Sequence, residues 1–120
     1  MKFVCLVYAA ESALISMTQA ELNTLIDEAL ANDAALGEQG RLVQGEALAH
    51  VESAVTVRVR GGRVSATTGP FAETNEQLGG FLLIEAADLD EAVGIAAGIP
   101  GARFGSVEVR PVVDLNDVRP

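Results

Sequence analysis

Phe3-Val4-Cys5-Leu6-Val7-Tyr8, followed by Met17-Thr18-Gln19-Ala20-Glu21-Leu22, reads as a strand leading into a helix. The first run is built of β-formers and is apolar on both alternating sets, Phe3, Cys5, Val7 and Val4, Leu6, Tyr8. That pattern predicts a central strand covered on both faces. In the second run, Thr18 can accept from the amide of Glu21 while the Glu21 carboxylate reaches back to the amide of Thr18, and Met17 can staple against Leu22. Leu22, Leu25, Ile26, Ala29, Leu30 and Leu36 then recur at helical steps, leaving Asn23, Thr24, Asp27, Glu28 and Asn32 on the other side. The helix is expected to close near Gly37 or Gly40.

Outward from this unit, Leu42 to Leu48 is read as a strand, although Gly45 and Glu46 weaken it. Val55, Val57 and Val59 alternate with Thr56, Arg58 and Arg60, and Gly61-Gly62 supplies the positive φ angles of a two-residue hairpin turn. The turn predicts Arg60 opposite Arg63, Val59 opposite Val64, Arg58 opposite Ser65 and Val57 opposite Ala66, with one face apolar and one polar. Thr68 to Gly79 opens with Gly69-Pro70 and reads as a loop. Phe81 to Glu85 is a further strand, and Asp88-Leu89-Asp90-Glu91 starts a helix through Ala92, Val93, Ala96 and Ala97 that Gly98, Pro100 and Gly101 stop. Ser106 to Val112 is the closing strand. Two β-α-β halves with an inserted β-hairpin predict an α+β, ferredoxin-like sheet with both helices on one face. Two helices cannot cover every apolar strand position, so a second subunit is expected to pack its sheet on the open face.

A chain of 120 residues, 49% hydrophobic and 21% charged, predicts one domain, taken as 1–113, with 114–120 as a C-terminal tail. Seventeen acidic against eight basic residues give a net charge of −9, which opposes binding to nucleic acid or to an anionic membrane. The lone Cys5 cannot form an intrachain disulfide, no apolar run reaches a membrane span, and the first residues are too short for a signal peptide. The expected location is the cytoplasm.

The stretch Thr67-Thr68-Gly69-Pro70-Phe71-Ala72-Glu73-Thr74-Asn75-Glu76-Gln77-Leu78-Gly79-Gly80-Phe81 closely resembles the signature of the DGPF family, within the wider YciI-like group. The opening strand ending in Tyr8, the valine hairpin, Asp88-Leu89-Asp90-Glu91-Ala92 and Val107-Glu108-Val109-Arg110-Pro111 extend the resemblance over nearly the whole chain. It implies a dimeric α+β barrel in which two ferredoxin-like sheets face each other. In YciI-like proteins a histidine and an aspartate suggest an enzyme. Here the aspartate that opens the signature corresponds to Thr68, and the first long helix has no histidine. Relatives in bacteria are often encoded beside alternative sigma factors, which makes a partner-binding role plausible.

Glu73 and Glu76, three residues apart in the signature loop, are the candidate acid–base pair, provided the loop makes one helical turn. Tyr8, Thr68, Gly69, Pro70, Phe71 and Arg110 are the candidate ligand-binding residues: a phenol and a hydroxyl to hydrogen-bond, a shaped loop, and a guanidinium for an acid group. Phe71 is expected to anchor the loop in the core. His50 lies in a connection between strands and is read as an ordinary exposed histidine. No metal or other cofactor is expected, and Cys5 is read as a small core residue. The expected function is a homodimeric small-molecule-binding or partner-binding module, with an enzyme using carboxylate acid–base chemistry on a small organic substrate as the alternative.

Overall fold

Residues 1–119 are described by a computed structural model. The elements run β1 (Lys2–Ala9), α1 (Glu11–Ile15), α2 (Gln19–Glu38), β2 (Leu42–Ala47), β3 (Val55–Arg60), β4 (Arg63–Thr68), β5 (Gln77–Glu85), α3 (Leu89–Ala97), β6 (Gly105–Pro111) and α4 (Leu115–Val118). Short 3-10 turns occupy Val51–Ser53 and Pro100–Arg103. Strands β2, β5, β1 and β6 form, in that order, one antiparallel sheet. With β3 and β4 set apart as a second sheet, this is the ferredoxin-like α+β arrangement that the two β-α-β halves predict.

Local chemistry explains the boundaries. Thr18 Oγ1 accepts from the Glu21 amide and Glu21 Oε1 accepts from the Thr18 amide, both at 3.1 Å, so the capping box forms as read. At the other end, Gly40 takes φ +70°, which lets the Arg41 amide reach Leu36 O and the Gly40 amide reach Gly37 O. Those two bonds satisfy carbonyls that the helix end would otherwise strand. Asp88 caps α3 through the Glu91 amide at 2.9 Å, whereas the Glu91 carboxylate pairs with Arg41 instead of completing a capping box. Four elements are invisible to periodicity: α1, the two 3-10 turns, and α4, which Asp114 caps within the segment read as a tail. β5 starts at Gln77, four residues before the predicted strand, so Gln77, Leu78 and Gly79, read as the end of the loop, lie within a strand.

The core lies between the sheet and its helices. Phe3 and Cys5 of β1 and Leu82 and Ile84 of β5 are buried against Leu36 of α2 and Ala92, Ile95 and Ala96 of α3. Burial raises the pKa of the Cys5 thiol, as befits a core residue. The helical stripes are only half used. Ile26 and Leu30 of α2 stay exposed, Leu30 at 62%, and on α3 Ile95 enters the core while Val93 does not. On the other face of the sheet, Val4, Leu6 and Tyr8 alternate with the core residues of β1, and the register sets Leu83, Phe81 and Leu78 beside them. The radius of gyration is 16.5 Å, against about 14 Å for a compact chain of this length.

Gly80 sits where β5 passes β2, and a Cβ there would meet Glu46 O at 2.8 Å. Gly80→Ala is therefore expected to destabilise the fold by about 2 kcal/mol, measured by urea denaturation. The capping box gives a pH signature. Hydrogen bonds from the Thr18 backbone and side chain lower the Glu21 pKa, so their stabilisation is complete above the unfolded value of 4.5 and fades as pH falls through the folded one. Thr18→Ala should lower the melting temperature at pH 7 and leave a shallower loss of stability on acidification.

Candidate functional site

Where the register of β1 and β5 shifts, Val7 pairs with Gly80 but Tyr8 pairs with Leu78, leaving Gly79 as an extra bulged residue. A bulge bends its strand and re-aims neighbouring side chains. Here it brings Tyr8 and Leu78 to the wall of a cavity of about 450 Å³, lined on one side by the connection after β2, from Leu48 through Val51 with Ser53 and Ala54, and on the other by Pro70, Phe71, Ala72 and Thr74 of the signature loop. The lining is mainly apolar, with Tyr8, His50, Ser53, Thr74 and Gln77 as its polar side chains.

The loop is shaped by its own side chains. Gln77 Nε2 donates to Ala72 O at 3.0 Å and to Thr74 O at 2.8 Å, and Thr74 Oγ1 donates to Glu76 O. Gly69, at φ +111°, donates to Ala54 O at 2.7 Å and accepts from Thr56 Oγ1 at 2.9 Å, which ties the loop to the base of the hairpin.

The opposite wall is held by a clasp. His50 caps the 3-10 turn, with Nδ1 accepting from the Glu52 amide at 3.4 Å, so the proton of the neutral imidazole lies on Nε2. Nε2 stands 3.0 Å from Glu11 Oε2, and Glu11 Oε1 accepts from the Val51 amide at 3.2 Å. Glu11 opens α1, so one carboxylate fastens that short helix to the connection after β2. This pair escaped sequence reading because its members are far apart in the chain and α1 has no apolar period. A carboxylate in the first turn of a short helix was the available signal.

The structure corrects several expectations. Phe71 is 76% exposed and lines the cavity mouth under the Arg58 guanidinium at 5.4 Å, so it does not anchor the loop in the core. The signature loop makes no helical turn, and the i, i+3 geometry supposed for Glu73 and Glu76 is absent. Glu76 Oε1 instead accepts from Ser106 Oγ at 2.7 Å, Glu73 is exposed, and neither lines the cavity. Arg110 pairs with Glu108 on the open sheet face, beside Val4, away from the cavity. Thr68 ends β4 exposed and outside the lining. Of the sequence-derived candidates, Tyr8, Pro70 and Phe71 come together and Gly69 flanks them, while His50, exposed in its connection as read, also lines the cavity.

A second cavity, of about 280 Å³, lies beneath α2, where Asn32 and Asp33 meet β2, β5 and the Pro100–Arg103 turn. Asn32 Nδ2 is buried without a hydrogen-bond partner among the described residues. Partial burial raises the pKa of the adjacent Asp33.

Sheet order, bulge and signature loop define a ferredoxin-like α+β protein with a pocket at one end of its sheet. The family model for the YCII-related domain matches residues 1–116, and the chain belongs to that family. It is 36% identical over 114 residues to an uncharacterized protein of Rhizobium meliloti (strain 1021), a match spanning 93% of this chain and 92% of the relative.

Two substitutions probe these sites. Glu11→Gln removes the charge of the clasp and is expected to cost on the order of 1 kcal/mol in urea denaturation. Asp33 has its pKa raised by folding, so its ionisation opposes folding once pH rises above the ordinary value of 3.8. Asp33→Asn should therefore raise stability at pH 7, with the gain disappearing at pH values below that ordinary one.

Proposed function

We propose that this member of the YCII-related family is a cytoplasmic homodimer that binds a small, largely apolar organic molecule in the cavity between Tyr8 and the signature loop. One domain, 1–113, carries the site, and 114–120 is its tail. The observation that carries the ligand reading is the cavity itself. Its volume of about 450 Å³ and its mainly apolar lining, with a few converging polar groups, match what small-molecule sites present. Tyr8 and Thr74 offer hydroxyls, Gln77 an amide, and Phe71 an exposed ring at the mouth.

Binding is favoured over acid–base catalysis by the hydrogen bonds around His50. The neutral imidazole spends its one ring lone pair on the Glu52 amide and turns its Nε2 proton to Glu11, so it has no free lone pair for a substrate proton, and Glu11 itself stands outside the cavity lining. Glu73 and Glu76 stand outside the cavity.

The dimeric reading is supported by surface. The chain exposes 8222 Å², whereas a compact monomer of 12.5 kDa exposes about 6,200 Å². The difference, about 2,000 Å², is on the scale that a homodimer interface removes from each subunit. Val4, Leu6, Phe81 and Leu83 form a half-buried apolar strip along the open sheet face, flanked by Gln44, Glu46, Glu108 and Arg110. No helix among the described residues is long and apolar enough to cross a membrane.

Thermal-shift screening against aromatic and carboxylic acids, with mass spectrometry on each mixture, tests the ligand reading. A compound that raises the melting temperature without being converted is expected. Phe71→Ala should abolish that shift while leaving the unliganded melting temperature nearly unchanged, because the ring is exposed. Conversion of the compound would overturn the non-catalytic reading. Light scattering at micromolar concentration should give about twice the 12.5 kDa chain mass, and a folded monomer would overturn the dimer.

A further inference from the structure

We propose that the β3–β4 hairpin is an arm that lays its valine face on a second copy of this chain, an inference that rests on the dimeric reading above and supplies one of its contacts. The hairpin forms as its sequence predicts. Gly61 and Gly62 take φ +57° and +74°, and the register pairs Val57 with Ala66, Val59 with Val64, Arg58 with Ser65 and Arg60 with Arg63. What the alternation does not supply is a surface for the apolar face. β3 and β4 make a sheet of their own, and Val57 is 61% and Val64 72% exposed, with Val55 and Val59 exposed beside them. An isolated two-stranded hairpin is marginal at best in water, so a well-formed one with a bare apolar face calls for a cover.

Charge selects what that cover is. Residues 55–68 hold Arg58, Arg60 and Arg63 and no acidic residue. The arm thus adds three positive charges to a chain of net −9, and the body alone stands at −12. None of the three arginines has a carboxylate oxygen within 4.0 Å among the described residues, whereas Arg41, Arg103 and Arg110 are all paired. A hairpin is thin enough that arginines on one face lie within about 8–10 Å, one Debye length, of whatever the other face touches. A second copy of this chain therefore offers both an apolar sheet face and an acidic body. A nucleic acid would attract the arm but be repelled by the body that carries it.

The excess surface has the right size for such an embrace, since a stable interface needs about 800 Å² from each partner and this chain exposes about 2,000 Å² beyond a compact monomer. The arm is also coupled to the candidate site, because Arg58 lies over the Phe71 ring at the cavity mouth.

The test is a mixed dimer. Ser65→Cys, on the polar face of the arm, is labelled with a nitroxide and mixed with unlabelled wild-type chain enriched in ¹⁵N; Cys5 is buried and escapes the label. Broadening of amide signals in the body of the ¹⁵N chain, seen only in the mixture, supports the arm, because the label sits on the other copy. A dimer by light scattering with no such broadening overturns the arm and leaves the dimeric reading standing. A wild-type chain that scatters as a monomer overturns both. In support, Arg58→Glu/Arg60→Glu/Arg63→Glu should raise the dimer dissociation constant at least tenfold with unchanged circular dichroism, and an unchanged constant would overturn the charge argument.

Discussion

One-sided burial of the four-stranded sheet is the constraint on which everything else in this molecule depends. The helices cover Phe3, Cys5, Leu82 and Ile84 on one face, and the small side chains Ala92 and Ala96 let α3 approach closely. This is a thin core for a chain with so many apolar residues, and none of the groups buried in it is charged. The strands nevertheless carry apolar residues on both faces. Hydrophobic burial is the main favourable term in folding, and the face away from the helices leaves Val4, Leu6, Phe81 and Leu83 only half-buried.

The site follows from a departure in that sheet. A single bulge at Gly79 shifts the register of β1 and β5 at the end where Tyr8 and Leu78 line the cavity. Two polar devices then fix the walls: Gln77 bonded to two loop carbonyls, and the Glu11–His50 pair across the opposite connection. Both spend hydrogen bonds on the shape of the cavity walls. The hairpin joins the same region through the Gly69 bonds and the Arg58–Phe71 stack, so arm, loop and cavity form one connected unit.

Much of this was legible from residues alone. The capping box at Thr18, the hairpin register around Gly61-Gly62, the alternation in β1 and the two β-α-β halves are local patterns, set by backbone geometry and near neighbours, and each has its counterpart in the structure. Errors cluster where a side chain had a choice of partners. Phe71 is a large aromatic whose size alone predicts a core position, yet its loop runs over the surface, where Arg58 lies over the ring. Glu76 was matched with Glu73 by spacing, but without a helical turn it bonds Ser106, which is distant in sequence.

The sequence by itself determined the fold class, the two long helices, the strands apart from the start of β5, and the hairpin turn, because capping, alternation and positive-φ glycines act over a few residues. Only the tertiary structure decided which side chains meet, His50 with Glu11, Glu76 with Ser106 and Tyr8 with Leu78 at the bulge, and that the valines of the β3–β4 hairpin stay exposed. Such contacts join segments whose separation along the chain leaves no periodic trace, and they depend on small shifts of register that local propensity does not encode.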